Sequence, residues 1–260
     1  MVDSPDSFGS FEQFADALHV IKTLGYQGVE INLTGPKGCD VDAVTQLGDD
    51  LALPVVSLLT GGNYFRDNLC LVSPKAQTRR EAVERLQTYT AIAARFDAVL
   101  VVGQMQGFSS DEPNAAEGEA RIEAGLREVS GAAEQHGATI VIEPVNHLQV
   151  GFHHTLAEVT ALIERIGSPH CKPMLDSFHI NIEETSPTEP IDRAGPDLAH
   201  FHLCETNAGL LGSGHLDIPA IFGALDAVGY QGWISVKSYR HDLAAGAGAA
   251  MRHLKSLGLA

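Results

Sequence analysis

The sequence predicts an α/β chain of the (β/α)8 TIM-barrel class, with seven strands legible and the first strand apparently missing. Two observations carry that prediction. Short continuous apolar runs alternate with helical patterns from Phe11 to the C-terminus, as expected of a parallel sheet buried on both faces. No G-x-G-x-x-G turn follows an early strand, which counts against the doubly wound alternative. A repeated joint supports the barrel: Gly25-Tyr-Gln-Gly28 leads into Val29-Glu30-Ile31, and Gly229-Tyr-Gln-Gly232 leads into Trp233-Ile-Ser-Val236. No linker or shift of composition divides the chain, so residues 1–260 are expected to form one domain.

In chain order, Phe11, Phe14, Leu18, Ile21 and Leu24 recur at helical spacing, and Gly25 closes the segment as a C-cap. Val29–Asn32 reads as a strand, Val41–Leu53 as a helix and Pro54–Leu59 as a strand. Ser73 at the N-cap and Pro74 behind it open a long helix to about Phe96. Ala98–Val102 is then a strand, 115–136 a helix, and Ala138–Ile142 a strand. Thr155–Ile166 is a helix, and Cys171–Leu175 and Leu198–Leu203 are strands. The helix Ile218–Val228, the strand Trp233–Val236 and a last helix near Ala244–Leu257 complete the order. Met1–Ser10 is polar and holds Pro5 and Gly9, so it is expected to supply no barrel strand. The strands at Val29 and Trp233 would then face each other across a gap with open edges.

Composition excludes several function classes. Acidic residues outnumber basic ones by 33 to 17, a net charge of −16, which argues against nucleic acid or an anionic membrane as partner. No apolar run approaches the length of a membrane helix, and MVDSPDSFGS is not a basic-then-apolar signal. Cys39, Cys70, Cys171 and Cys204 show neither C-x-x-C pairing nor zinc-ribbon spacing. They read as reduced, buried thiols of a cytoplasmic protein. A homo-oligomer is left open.

The chemistry gathers in the second half. Four strands end on ionisable residues: Glu143, Asp176, His202 and Lys237, separated by 33, 26 and 35 residues, about one βα unit each. Consecutive barrel strands would bring those ends to one rim, where such barrels place their active sites. Taken singly, a polar residue at a strand end is no more than a hydrogen-bonded surface group. Taken together, two carboxylates and an imidazole need a compensating cation, and an oxygen-rich set of this kind suits Mn2+ first and Mg2+ second.

On these residues the chain resembles the sugar phosphate isomerase/epimerase family of xylose isomerase-like TIM barrels, which includes ketose 3-epimerases, hydroxypyruvate isomerase and inosose dehydratase. The motifs are GYQGVEI, Glu143-Pro-Val-Asn146, Asp176-Ser-Phe-His179, His200-Phe-His202 with Glu205, and Gly212-Ser-Gly-His215. The resemblance runs from about Phe11 to the end. It implies that Glu143, Asp176 and His202 hold one divalent cation and that Glu143 is also an acid/base carboxylate. It further implies that His179 steadies a substrate oxygen and that Glu30 is a rim glutamate. Three positions depart from the ketose 3-epimerases: Gln149 stands in place of a substrate-binding Glu, Ala208 in place of an Arg, and Lys237 in place of the second catalytic glutamate and fourth metal ligand.

The expected activity is therefore metal-dependent isomerisation or epimerisation of a small sugar, sugar acid or polyol-derived ketone through an enediolate. Glu143 or Lys237 would be the base, with Glu30, His147, His153 and Glu205 as further substrate contacts. His154 lies on the same loop as His147 and His153. Dehydration on the same metal site and a non-catalytic sugar-binding subunit stand beside it as alternatives. A metal near Lys237 would depress its pKa. Trp233 is expected in the barrel core or floor, Cys204 as buried packing, and Glu183-Glu184 as helix-end or surface charges.

Overall fold

Eight parallel strands follow one another in chain order, each hydrogen-bonded to the next, in a computed structural model that describes residues 1–239 and 242–260. They are β1 (Val2–Asp3), β2 (Val29–Asn32), β3 (Val55–Leu59), β4 (Val99–Val102), β5 (Thr139–Ile142), β6 (Cys171–Asp176), β7 (His200–Cys204) and β8 (Ile234–Lys237). The helices between them are α1 (Phe11–Leu24), α2 (Val41–Leu51), α3 (Gly62–Asp67), α4 (Ala76–Phe96), α5 (Ala115–His136) and α6 (Leu156–Ile166). Four more complete the set: α7 (Ser177–Glu183), α8 (Glu189–Ala194), α9 (Ile218–Ala227) and α10 (Leu243–Ser256). This is the TIM-barrel fold that the alternation predicts.

The first strand corrects the sequence reading. Val2 lies opposite Ile31 and Asp3 opposite Asn32, so the polar N-terminal stretch does supply a strand, of two residues. Two residues carry no period, and pattern reading passes over them. The expected gap survives on the other side. Among the described residues no pairing joins β1 to β8, and a cavity of about 580 Å³ opens there, lined by Met1, Phe8, Tyr26, Trp233, Ile234 and Val236. Trp233 is not in the core or floor: it stands 43% exposed on this seam.

Helix boundaries follow from local chemistry. Ser10, Asp40, Asn114, Thr155, Asp217 and Asp242 each accept the N–H of the residue three places on, satisfying a donor the helix cannot. The long helix α4 starts at Ala76, later than Ser73-Pro74 suggests. Ser73 Oγ instead accepts Lys75 N–H at 3.3 Å, making a turn ahead of the helix. The short helices α3, α7 and α8 were not expected, because six or seven residues are too few to display a helical period.

Strand alternation divides the core. Inside the barrel, Leu59, Val101, Val141 and Met174 pack as one apolar layer. Residues pointing the other way, such as Leu175, Phe201 and Leu203, pack beneath the helices. Because side chains alternate with period two, the residue two places beyond an interior residue also faces the barrel interior. Two steps on from Val101, Val141 and Met174 lie Gly103, Glu143 and Asp176. The apolar layer is thus the floor of a polar one.

Candidate active site

That polar layer is built by strand register. Asp176 lies opposite His202, His202 opposite Ser235, and Cys204 opposite Lys237, so β6 and β7 pair their ionisable residues directly and β8 brings in Lys237 two residues further along. Glu143 directly follows β5, and its N–H still reaches Val102 O at 3.1 Å, which holds it in line with the strand. Gly103 makes room for its carboxylate: a Cβ at that position would meet Glu143 Oε2 at 2.6 Å. All four ionisable residues are buried.

The geometry around His202 organises the centre. Its Nε2 lies 2.8 Å from Glu30 Oε2, and its Nδ1 lies 3.0 Å from Glu143 Oε1 and 3.6 Å from Asp176 Oδ2. Glu30 therefore stands behind the imidazole and fixes which nitrogen faces the other carboxylates. The same Glu30 oxygen is 3.1 Å from His200 Nε2, which also meets Ser235 Oγ at 3.1 Å. Lys237 Nζ completes the cluster, 3.1 Å from His202 Nδ1 and 3.4 Å from Asp176 Oδ2. It lies 3.7 Å from Glu143 Oε1. His202 Nδ1 can donate to Glu143 when the ring is protonated and accept from Lys237 when it is neutral.

Electrostatics follow from that packing. Burial alone would raise the Glu143 carboxyl, but the Lys237 ammonium and then His202 pull it down to about 2. Asp176 is lowered in the same way, by Lys237 against burial. Glu30 is driven well below its ordinary range, the charges and hydrogen bonds of His202 and His200 overcoming burial. Burial lowers the proton affinity of His202, yet the surrounding carboxylates, Glu30 foremost, raise it to about 10. The carboxylates facing Lys237 act on it in the direction opposite to that expected of a metal ion. Burial does lower it, but Glu143, Tyr239 and Asp176 together raise it well above the ordinary lysine value.

His179 is positioned by two local devices. Asp176 Oδ1 accepts the Phe178 N–H at 2.8 Å and so caps α7, which swings His179 over the end of the barrel. Ser177 Oγ donates to Cys204 O at 2.7 Å and accepts from Cys204 N at 2.8 Å, pinning that helix to β7. Asn146 then sets the tautomer. Its Oδ1 accepts the Leu148 N–H at 3.1 Å, so its amide nitrogen is the group that lies 2.7 Å from His179 Nδ1. With Nδ1 accepting, the proton sits on Nε2. That Nε2 is buried, 3.8 Å from Glu143 Oε1, and has no hydrogen-bond partner among the described residues.

Other expected contacts lie elsewhere. His147 is mostly exposed and turned to Glu183, whose Oε1 lies 2.5 Å from Nδ1 and accepts the His147 N–H at 2.7 Å. Glu183 and Glu184 stand at the C-terminal end of α7, as helix-end charges, and there they also staple loops, Glu184 accepting the Leu156 N–H at 2.9 Å. His153 is buried, with Nδ1 2.8 Å from Gln106 Oε1 and Nε2 2.9 Å from Glu119 Oε2. Both its nitrogens are taken up by the protein, and Gln106 in turn donates to Glu143 O at 3.3 Å. His154 Nδ1 lies 2.9 Å from Val145 O. Glu205 accepts three backbone N–H groups, from Thr206, Leu216 and Gly212 at 2.8, 3.1 and 2.9 Å. Cys204 is buried and its thiol is raised by that burial, which leaves it inert as a nucleophile. Asn146, Gly103 and Gln106 were not singled out from sequence. For Asn146 a signal existed, three residues after Glu143 on the same loop.

Glu143, Asp176 and His202 offer one donor atom each within 4.8 Å of one another, and so do Glu30, His200 and His202. Two carboxylates with an imidazole fit a divalent ion of the Mn2+ or Mg2+ kind by donor chemistry. His202 has the carboxylate behind it that orients such a ligand. Lys237, a cation, stands in contact with all three of the first set.

Residues 18–257 match a family described as the xylose isomerase-like TIM barrel. The chain is similar to an L-ribulose 3-epimerase of Mesorhizobium japonicum, 30% identical over 226 residues that span 85% of this chain and 74% of that protein. It is also similar to a 3-dehydro-D-guloside 4-epimerase of Escherichia coli, 29% identical over 231 residues and 86% of each chain. Among solved structures, one described as that of L-ribulose 3-epimerase superposes with a TM-score of 0.85 at 25% identity, covering 99% of this chain and 93% of that one.

Proposed function

Since the chain belongs to the xylose isomerase-like TIM barrel family, we propose that it is a sugar isomerase or epimerase acting beside a ketose carbonyl. The substrate class is a small sugar, sugar acid or polyol-derived ketone. One observation carries this reading: the ionised Glu143 carboxylate is faced by the Nε2–H of His179, unpartnered among the described residues, and by the Lys237 ammonium, all in one buried layer. A divalent ion held by Glu143, Asp176 and His202 would polarise the carbonyl and its neighbouring hydroxyl. Glu143 takes the proton from the carbon next to the carbonyl, His179 Nε2–H holds the oxygen on which charge develops, and Lys237, which the ion would move off the donor oxygens, returns a proton. The free thiols and the absence, among the described residues, of any helix long and apolar enough to cross a membrane fit a cytoplasmic setting.

A second reading keeps these residues and changes the outcome. Glu143 and Lys237 are an unlike pair, a carboxylate beside an ammonium, and an ammonium can protonate a departing hydroxyl. Abstraction followed by β-elimination would make the chain a dehydratase.

A panel of ketoses, keto-sugars and inososes in D₂O, with Mn2+ added and NMR as the readout, separates the two. Deuterium entry with an epimeric or isomeric product supports the leading reading, and loss of water supports the second. Glu143→Gln should abolish deuterium entry in either case. No exchange on any member of the panel would count against both.

A further inference from the structure

Lys237 does more than border the candidate donors. Its ammonium lies 3.1 Å from His202 Nδ1, 3.4 Å from Asp176 Oδ2 and 3.7 Å from Glu143 Oε1, in contact with every residue of the donor set. We propose that the Lys237 ammonium is the resident cation of the metal-free centre, so that it and a divalent ion exclude one another there.

The physical case is one of charge and place. Asp176 is fully buried and Glu143 nearly so, and two buried carboxylates side by side require a cation within reach. Among the described residues, the ion pairs of Asp176 are with Lys237 and the His202 ring. Those of Glu143 are with Lys237, His202 and His179. Among the described residues Lys237 is thus the one ammonium or guanidinium partner of either, and it is 6% exposed, so water does little of the neutralising. A dication brought onto the same donors meets a like charge already there. The ammonium must withdraw before the ion can seat, and the work of withdrawing it is subtracted from ion affinity. The same side chain makes the ion-free protein self-sufficient, since its carboxylates are paired without any metal.

This inference rests on the donor assignment made above, but it is tested without sugar, so its failure and that of the epimerase reading are distinguishable. The full chain, stripped by chelator, is titrated with Mn2+ alone, following free Mn2+ by electron paramagnetic resonance. Lys237→Met is compared with wild type, and Lys237→Gln serves as a second neutral variant if the first folds poorly. Both are expected to bind Mn2+ at least tenfold more tightly than wild type. Both should also melt at a lower temperature than wild type in chelator, and both should gain more in melting temperature from Mn2+. That rescue is a readout that a merely structural lysine would not give. Equal affinity in all three proteins, or tighter binding by wild type, overturns the proposal, and so does failure of every protein to bind Mn2+.

Discussion

Asn146 shows how much of this centre is decided by single atoms. Its amide is oriented by the Leu148 N–H, and through that it decides which nitrogen of His179 carries the proton. Asn146→Asp should reverse the arrangement, because a carboxylate accepts the proton from Nδ1 and leaves Nε2 as a lone pair. Removing one such donor from a developing oxyanion costs about 10²–10³ in turnover. The expected outcome is a loss of that size in kcat on the true substrate with the melting temperature within a few degrees of wild type. Turnover within a few-fold of wild type would remove the tautomer argument. At this scale the sequence was legible where register governs: Glu143, Asp176, His202 and Lys237 meet because neighbouring strands end on them. It was not legible where a polar side chain chooses between pocket and backbone. His153 and Glu205 have the right chemistry for sugar contacts, yet their polar atoms are occupied by Gln106, Glu119 and loop N–H groups. Spacing cannot reveal that choice, since both outcomes place the residue on the same loop.

At the scale of elements, the loop after β7 hangs on the Glu205 carboxylate. Burial raises the proton affinity of that group, but the backbone N–H groups of Thr206, Leu216 and Gly212 outweigh it and leave the carboxyl below its ordinary 4.5. The sign follows: the anchoring is fully present above about pH 4.5 and is lost as pH falls through the lower, folded-state value. Amides of residues 206–216 should therefore exchange faster with deuterium below that pH, before the strands do. Glu205→Gln should produce the same exchange pattern at neutral pH and cost about 1.5–3 kcal/mol, the worth of hydrogen bonds to a charged acceptor. An exchange profile that Glu205→Gln leaves unaltered would show that the loop is held by other contacts. The longer helices were legible because fourteen to twenty-two residues display a period and a cap, as α1 and α5 do. The helices α3, α7 and α8 were not, although α7 carries His179 to the site.

At the scale of the whole molecule, the barrel is paired from β1 through β8 and left unpaired, among the described residues, between its first and last strands. Trp233, the single tryptophan, stands on that opening. Its emission should be that of a partly hydrated indole and should be quenched efficiently by acrylamide, without a transition in the circular dichroism of the folded protein. A blue-shifted emission that resists acrylamide would mean that the seam is covered in solution. Glu30 connects the two regions, lining the seam cavity on one side and holding His202 on the other. The seam also gives the molecule a mechanical direction. A closed ring of strands carries load equally around its circumference, whereas this one has a grain. Tension between β4 and β5 is opposed by four residue pairs in register, whereas among the described residues no strand pairing opposes tension between β1 and β8. Pulled across the seam the barrel should yield more readily than when pulled between β4 and β5.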